Sequence, residues 1–484
     1  MNKLEKFIFT FEVTRMASLP GLIIPIMRKY ILVLAYCLLT TLMLAQTKPY
    51  APSPIPDRIV LSWSEDPART QSVTWRTDVN VKLAWGEIAL AEASPDFALK
   101  VDTCYARTSV LTTNNNKAHF HSTTFKELEP DRMYAYRVGS EFGFSEWFHF
   151  KTAKDEIAPF SFAYFGDAQN NLKSFWSRCV RQAYSTMPEM DFMLHAGDLV
   201  NVAKRDEEWG EWFYAAGWIT GTKTQMAVPG NHEYPRNKKR DPILSDHWKP
   251  TFTFPKNGPS QLQETVYYFD YQGVRFIALN TQSMISYPDE MVLQKEWLTE
   301  VLSTNPHRWT VVMQHHPIYS TAAGRENPEL EKQIQPIFEK YGVDLVLQGH
   351  DHTYGRGYNL SFGEKHKDKG PIYVVSVSGP KMYRLNFADW LTRVASNTQL
   401  YQLIHVDGDQ LRYEAYTTTG KLYDAFELNK KKDGTNVFVD QAPEEVPEQI
   451  TIANRYAKDM TDEQMAAYRK RYEAFKAKQA ARKD

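Results

Sequence analysis

The sequence predicts a chain in two folded parts, an all-β sandwich followed by an α/β layered domain with mixed sheets. Three observations carry this. From Arg58 to about Ala153, short β-branched and aromatic runs recur between turn residues. After Lys154–Pro159, strand-like runs alternate with stretches of helical periodicity. The length, 484 residues, exceeds what one ordinary core accommodates. An apolar content of 43% and a charged content of 24% are those of a globular protein. The net charge of −1 excludes a nucleic-acid binder held mainly by phosphate contacts.

Residues 1–45 read as a targeting segment. Arg28-Lys29 precede an apolar stretch, Ile31–Leu44, and Ala45 comes before polar Gln46-Thr47-Lys48. This is the shape of a secretory signal, and the stretch is short for a membrane span of about 20 residues. Met27 begins a more ordinary signal than Met1, so residues 1–26 read as an upstream extension; a retained N-terminal anchor is the competing reading. Cleavage would leave an exported chain, periplasmic or extracellular, with no stable membrane span. It would remove five basic and two acidic residues and take the net charge from −1 to −4. Tyr36 stands where a lipoprotein site before Cys37 would need a small residue. Cys104 and Cys179 then remain, in different domains, so no disulfide framework is expected.

Pro49–Pro56 is an extended lead-in to the first domain, residues 50–153. Its strands are expected at Ile59–Trp63, Ser72–Thr77, Ala118–Phe125, Tyr134–Val138 and Trp147–Thr152, a sandwich of about 100 residues. Leu128–Val138 places Pro130 at a corner before Tyr134, and in this it resembles the fibronectin type III pattern.

The second domain is expected over 158–428. Strands fall at Phe160–Phe165, Phe192–Ala196, Gln225–Val228, Trp309–Met313, Val343–Leu347, Ile372–Val377, Leu400–Val406 and Gln410–Thr417. Tyr267–Tyr271 and Val274–Asn280 form a hairpin. Helices fall at Leu172–Met187, Asp206–Thr220, Glu290–Thr304, with a stripe of Val292, Trp297, Leu298, Val301 and Leu302, and Pro328–Tyr341. Pro235–Leu262 reads as a polar, Pro-rich insertion near the site. The tail, 429–484, is charged. Met465, Tyr468, Tyr472 and Phe475 lie at helical spacing behind a Thr461/Gln464 capping box, which describes a docked amphipathic helix.

Five short stretches of the second domain end strands with metal-binding side chains: Gly166-Asp167-Ala168-Gln169, Gly197-Asp198-Leu199-Val200-Asn201, Gly230-Asn231-His232-Glu233, Val312-Met313-Gln314-His315 and Gly349-His350-Asp351-His352. All offer hard oxygen or imidazole donors and none a thiolate, a set that suits Zn²⁺, Fe or Mn²⁺. An aspartate can bridge two cations. Two ions about 3.5–4 Å apart clamp the attacking and leaving oxygens of an in-line phosphoryl displacement and lower the pKa of a bridging water.

The order Gly-Asp, Gly-Asp, Gly-Asn-His-Glu, Val-x-x-His, Gly-His-x-His resembles the calcineurin-like metallophosphoesterases. With the sandwich in front, the chain to about residue 428 resembles a purple acid phosphatase or a bacterial relative. The resemblance implies a β-sandwich flanked by helices, α/β-β/α. It implies Asp167 on a first metal, Asp198 bridging both, Asn231, His315 and His350 on the second, and His352 back on the first. It makes His232 the group that contacts the phosphate and protonates the leaving oxygen. The implied activity is hydrolysis of small phosphate monoesters by a metal-bridging hydroxide. A phosphodiesterase of the same superfamily is one alternative, and a non-catalytic binding protein using the first domain is another.

Two positions depart from the purple acid phosphatase pattern. Asn201 stands where those enzymes have the Tyr that colours ferric iron, and Gln169 stands where they have Gly. A purple Fe(III)–Tyr centre is therefore not expected. Gln169 and Asn201 remain as ligands of the first ion or as supports behind it. Arg325 and Arg356 are candidates to grip a phosphate, with surface roles as the alternative. His316 is expected behind the ligands beside Pro317. Asp351 should be solvated or orient a His, and His195 should be a core residue. His247, in the insertion, is a weaker candidate to line the pocket. Glu233 is expected to support the ligands without touching a metal.

Overall fold

A computed structural model describes residues 49–358 and 370–481. The targeting segment expected at 1–45, Cys37 included, lies outside the described residues.

The first domain follows from alternating burial. Its strands are β1 (Asp57–Ser62), β2 (Gln71–Asp78), β3 (Trp85–Leu90), β4 (Asp102–Tyr105), β5 (Arg107–Thr112), β6 (Lys117–Phe125), β7 (Met133–Ser140), β8 (Gly143–Phe144) and β9 (Phe148–Lys151). One sheet runs β1-β2-β6-β5, the other β4-β3-β7-β8 with β9 on β7. Trp75, Phe125, Tyr136, Phe148 and Phe150 fill the space between them. At the corner before β7, the Tyr134 hydroxyl accepts the Glu129 N–H at 2.8 Å. Strands β4 and β5 are additions to the sequence reading. Both are largely exposed, so backbone pairing holds them and no burial pattern announces them.

The second domain packs two seven-stranded sheets face to face. The first contains β10 (Phe160–Phe165), β11 (Phe192–His195), β12 (Thr224–Ala227), β20 (Leu400–Asp407), β21 (Gln410–Thr417), β22 (Leu422–Lys430) and β23 (Asn436–Asp440), in the order β12-β11-β10-β20-β21-β22-β23. The second contains β13 (Tyr267–Tyr271), β14 (Val274–Leu279), β15 (Trp309–Gln314), β16 (Leu345–Gln348), β17 (Tyr354–Gly357), β18 (Ile372–Val375) and β19 (Leu391–Ala395), in the order β13-β14-β15-β16-β18-β17-β19. Strands β10, β11 and β12 are parallel, as are β14, β15, β16 and β18.

The two-residue period sorts the second sheet's side chains. Phe276, Val311, Leu345 and Val374 enter the core between the sheets. Their neighbours Ile277, Val312, Val346 and Tyr373 enter a separate core under the outer helices. Apolar side chains on both faces are what buried parallel strands require. On the other side, helix Leu172–Thr186 buries Trp176, Cys179, Val180 and Ala183. This is one face at i, i+3, i+4, i+7 spacing.

Several expectations change. The second domain does not end at 428: that position falls inside β22, and β23 carries the sheet to Asp440. Pro328–Tyr341 is two short helices, Pro328–Gln333 and Gln335–Lys340, because Pro336 supplies no N–H to continue the ladder. In helix Pro288–Ser303 the buried stripe contains Met291 in place of Val292, which is exposed. The insertion expected to be polar buries Trp248, Phe252 and Phe254 in the main core. Cys104 and Cys179 are both free.

The tail helix Asp462–Ala480 starts at the Thr461/Gln464 capping box and sets Tyr468 and Phe475 against Phe387, ring centroids 5.1 and 5.6 Å away. Among the described residues no helix is long and apolar enough to cross a membrane.

A charged cluster joins the domains. Asp206, fully buried at the start of helix Asp206–Ala216, accepts from Arg58 of β1 at 2.8 and 2.9 Å, from Arg76 of β2 at 3.1 Å and from Asn116 at 3.1 Å. His247 approaches the same carboxylate at 3.4 Å and stacks on Trp209, ring centroids 5.7 Å apart. His247 therefore belongs to this junction and not to the site expected of it.

Candidate metal centre

Five parallel strands from two sheets deliver their chemistry at one edge. Asp167 follows β10, Asp198 follows β11, Asn231 follows β12, His315 follows β15, and His350 and His352 follow β16. The crevice beyond the carboxyl ends of parallel strands is where such sheets place their ligands. Three of the six have a left-handed backbone: Asp198 (φ 51°), His350 (φ 75°) and His352 (φ 49°). That conformation costs about 1–3 kcal/mol at a non-glycine residue and is concentrated at ligand clamps.

The glycines before the ligands leave room for the carboxylates. A Cβ on Gly230 would lie 2.2 Å from Asp198 Oδ1, and one on Gly349 would lie 2.4 Å from Asp167 Oδ1. Close approach to Asp198 and Asp167 is the reason glycine stands at these two positions.

The six side chains meet in two overlapping groups. In the first, His352 Nε2 is 3.3 Å from Asp167 Oδ2, and ligand atoms of Asp167, Asp198 and His352 lie within 4.8 Å of one another. Gln169 inserts here, its Nε2 2.8 Å from Asp198 Oδ2 and 3.1 Å from His352 Nε2. In the second, His315 Nδ1 meets the Ala196 carbonyl at 2.8 Å. A carbonyl only accepts, so Nδ1 carries the hydrogen and Nε2 turns inward. That nitrogen lies 3.4 Å from Asp198 Oδ1, 3.2 Å from Asn231 Oδ1 and 3.1 Å from His350 Nδ1.

The donor set fits metal ions. Asp167 Oδ2, Gln169 Oε1 and His352 Nδ1 are buried and lack hydrogen-bond partners, although buried polar atoms are nearly always paired. Burial pushes the Asp167 carboxyl up to about 6, with Asp198 adding to the rise against the opposing charge of His315. Burial also works to raise Asp198, but His315 and His232 hold it well below the usual carboxylate range. Two carboxylates pushed apart in this way are like charges in a confined space. Burial lowers His350 and His352 and leaves them neutral, the form in which imidazole binds a metal.

Glu233 holds the loops. It is fully buried and accepts the N–H groups of Asp198 at 2.9 Å, Gly230 at 2.8 Å and Val200 at 3.3 Å. Burial, with the Asp198 charge beside it, pushes its carboxyl up to about 8. His232 is half-buried. Its backbone N–H donates to Asp198 Oδ1 at 2.8 Å, and its Nδ1 is bonded to the Asn201 carbonyl. Asn201 thus meets the site through its backbone carbonyl, and its side chain makes no hydrogen bond to the six.

Arg325 reaches the cluster. It pairs with Asp351 at 3.2 Å and donates to His350 at both the ring Nε2 and the backbone carbonyl. Asp351 is buried, not solvated, and also accepts from Ser320 and the Thr321 N–H at 2.7 Å each. It therefore fixes Arg325 and the loop after His315, not a His ring. Arg356 does not reach the cluster. It lies in β17, fully buried, paired with Asp424 at 2.8 Å and Asp440 at 2.7 Å. The expectation of a phosphate contact there is corrected: those carboxylates arrive from β22 and β23, which the sequence reading lacked.

His316, expected behind the ligands, stands against His350. Its ring centroid is 4.2 Å from that of His350, and ligand atoms of His315, His316 and His350 lie within 4.8 Å of one another. Strand β15 ends at Gln314, so strand alternation does not turn His316 away from His315. His195 is a core residue, with Nε2 2.8 Å from Gln225 Oε1 and its ring against Phe165, 5.5 Å away.

Residues 160–354 match the family described as Calcineurin-like phosphoesterase, and residues 56–152 match Purple acid Phosphatase, N-terminal domain. Acid phosphatase type 7 of Homo sapiens is 26% identical over 383 residues, covering 71% of this chain and 82% of that protein. Purple acid phosphatase 18 of Arabidopsis thaliana is 25% identical over 340 residues, covering 68% of this chain and 72% of that protein. The structure of purple acid phosphatase PPD1 from yellow lupin (Lupinus luteus) seeds superposes with a TM-score of 0.65 at 20% identity, covering 79% of this chain and 75% of that one.

Proposed function

Because this chain is a metal-dependent phosphoesterase of the calcineurin-like family behind a purple acid phosphatase N-terminal domain, we propose that it is an exported phosphatase that hydrolyses small phosphate monoesters at a two-metal centre. The observation that carries this reading is the convergence of Asp167, Asp198, Asn231, His315, His350 and His352 from five strand ends. The unpartnered oxygens of Asp167 and Gln169 belong to that convergence. Asp167, Asp198 and His352 would hold the first ion, with Gln169 Oε1 as a further oxygen. Asp198, Asn231, His315 and His350 would hold the second. Such a pair draws charge from phosphate oxygens and lowers the pKa of water. Zn, Mn or Fe suits these donors. No tyrosine stands at position 201 to make a coloured ferric site.

The chain's own groups do the rest. Attack of a water oxygen on phosphorus breaks the ester P–O bond. His232 has Nδ1 bonded to the Asn201 carbonyl, so Nε2 is the atom that gives a proton to the departing oxygen. Arg325, held by Asp351, is placed to pair with a phosphate oxygen. The names of the relatives, acid and purple acid phosphatases, favour monoesters over diesters. Export rests on the Arg28–Ala45 pattern.

The test compares p-nitrophenyl phosphate with its bis ester on the metal-loaded mature chain. Preference for the monoester is expected. A strong preference for the diester would make the protein a phosphodiesterase.

A further inference from the structure

Four cations gather around one aromatic pair beside the metal centre. Tyr383 donates its backbone N–H to the His352 carbonyl at 3.1 Å and sets its ring edge-on to the His352 imidazole, centroids 4.8 Å apart. Arg325, Arg455 and Lys381 stand over the Tyr383 ring at 4.8, 5.1 and 5.5 Å from its centroid. Arg384 lies 5.7 Å from the ring of Tyr456, which is itself 6.4 Å from that of Tyr383. Arg325 has Asp351 as its partner. Lys381, Arg384 and Arg455 have no carboxylate partner among the described residues.

The fold brings these charges together by two routes. Lys381 and Arg384 come from the loop after β18, the strand whose continuation at Val377 bridges to Asp167. Arg455 comes from the tail. Ala453 is buried against Val377 and Met382, which fixes the short helix Asn454–Ala457 at the edge of the centre. The charge of Lys381 is felt at both Asp167 and His352. Cations held this close repel one another; each ring face compensates part of that repulsion, and an anion would compensate the rest.

On the reading above, the reacting phosphate already has the metal centre, His232 and Arg325. We propose that Lys381, Arg384 and Arg455 form a second anion subsite, so that the preferred substrate is a phosphate ester carrying a further phosphate group. This rests on the phosphatase reading above and goes beyond it by naming the substrate class and the residues that select it. The subsite acts in binding, so its loss raises KM more than it lowers kcat.

The experiment compares fructose 1,6-bisphosphate with fructose 6-phosphate on the metal-loaded full chain and on Lys381→Ala/Arg455→Ala, with thermal melting to verify folding. Wild type should show the higher kcat/KM on the bisphosphate. The double variant should lower the bisphosphate-to-monophosphate ratio about tenfold, through KM, as expected for lost charge-assisted contacts to phosphate. Arg455→Lys should keep most of the ratio. An unchanged ratio, or an equal fall on both substrates, would overturn the proposal. If wild type released phosphate from neither substrate, the phosphatase reading would fail on its own. Calorimetric titration with the bisphosphate then decides the subsite: tighter binding to wild type than to the double variant sustains it, and equal binding overturns it.

Discussion

The Glu233 carboxylate accepts the backbone N–H of Asp198 at 2.9 Å. The same oxygen accepts Gly230 at 2.8 Å, so one buried side chain ties the loop of Asp198 to the loop of Asn231. Glu233 needs no contact with a metal to govern where Asp198 and Asn231 stand. Glu233→Ala should therefore lower metal affinity and activity by about 10–100-fold, the usual scale for groups that orient ligands. Metal titration of the purified variant checks this; wild-type affinity would remove the positioning role.

Gly230→Ala removes no ligand and no hydrogen bond. Its new Cβ would fall 2.2 Å from Asp198 Oδ1, and Asp198 is buried with nowhere to swing. Metal content and kcat should both drop to near the levels of Asp198→Ala, while far-ultraviolet circular dichroism stays unchanged. Full activity in Gly230→Ala would contradict this account of the glycine.

Asn201 and His232 are joined through the Asn201 carbonyl. Asn201→Ala keeps that carbonyl and should leave kcat within about twofold, as surface changes away from such features do. His232→Ala should lower kcat by about 10²–10⁴-fold, the range for a lost general acid. Steady-state kinetics on p-nitrophenyl phosphate separates them, and a large loss in Asn201→Ala would point to its side chain as a ligand.

Asp206 predicts a pH dependence of stability. Burial raises its carboxyl, but His247, Arg58 and Arg76 outweigh burial and hold it well below its ordinary value of 3.8. A carboxyl depressed in the folded state contributes stability above its unfolded pKa, and that contribution is lost as pH falls from there toward the folded value. Wild type should lose melting temperature as pH drops below about 4. Asp206→Asn should be less stable at pH 7 by about 3–5 kcal/mol, because buried Arg58 loses its carboxylate while buried Arg76 keeps that of Asp57, and should lose less on acidification. Thermal melts across that range check both slopes.

Arg356→Ala should destabilise by a similar buried-pair amount, about 3–5 kcal/mol, with KM per folded molecule unchanged. A raised KM would return Arg356 to the substrate.

The convergence of the six candidate side chains was legible because each stands at a strand end in an order that survives in one dimension. Glycine before aspartate or histidine marked those ends even though its reason, room for a neighbouring carboxylate, was not visible. What sequence could not show were pairings across long separations. Asp206 meets Arg58 and Arg76 from 148 and 130 residues away, and nothing near any of them signals a junction. Arg356 read as a phosphate contact because its partner Asp424, 68 residues on and in the other sheet, gave no local signal. The β22 run was missed because that same Asp424 interrupts its apolar pattern. His316 lies just beyond the end of β15, where strand alternation gives no guide to its direction. The cations around Tyr383 come from segments that sequence treated as a loop and a tail.

The central claim is a two-metal centre built by six named side chains, and elemental analysis of metal bound per chain tests it most directly. Wild type should carry about two ions and Asn231→Ala about one, because Asn231 stands against His315 in the second group. One ion or none in wild type, or two ions held unchanged by Asn231→Ala, would contradict the account.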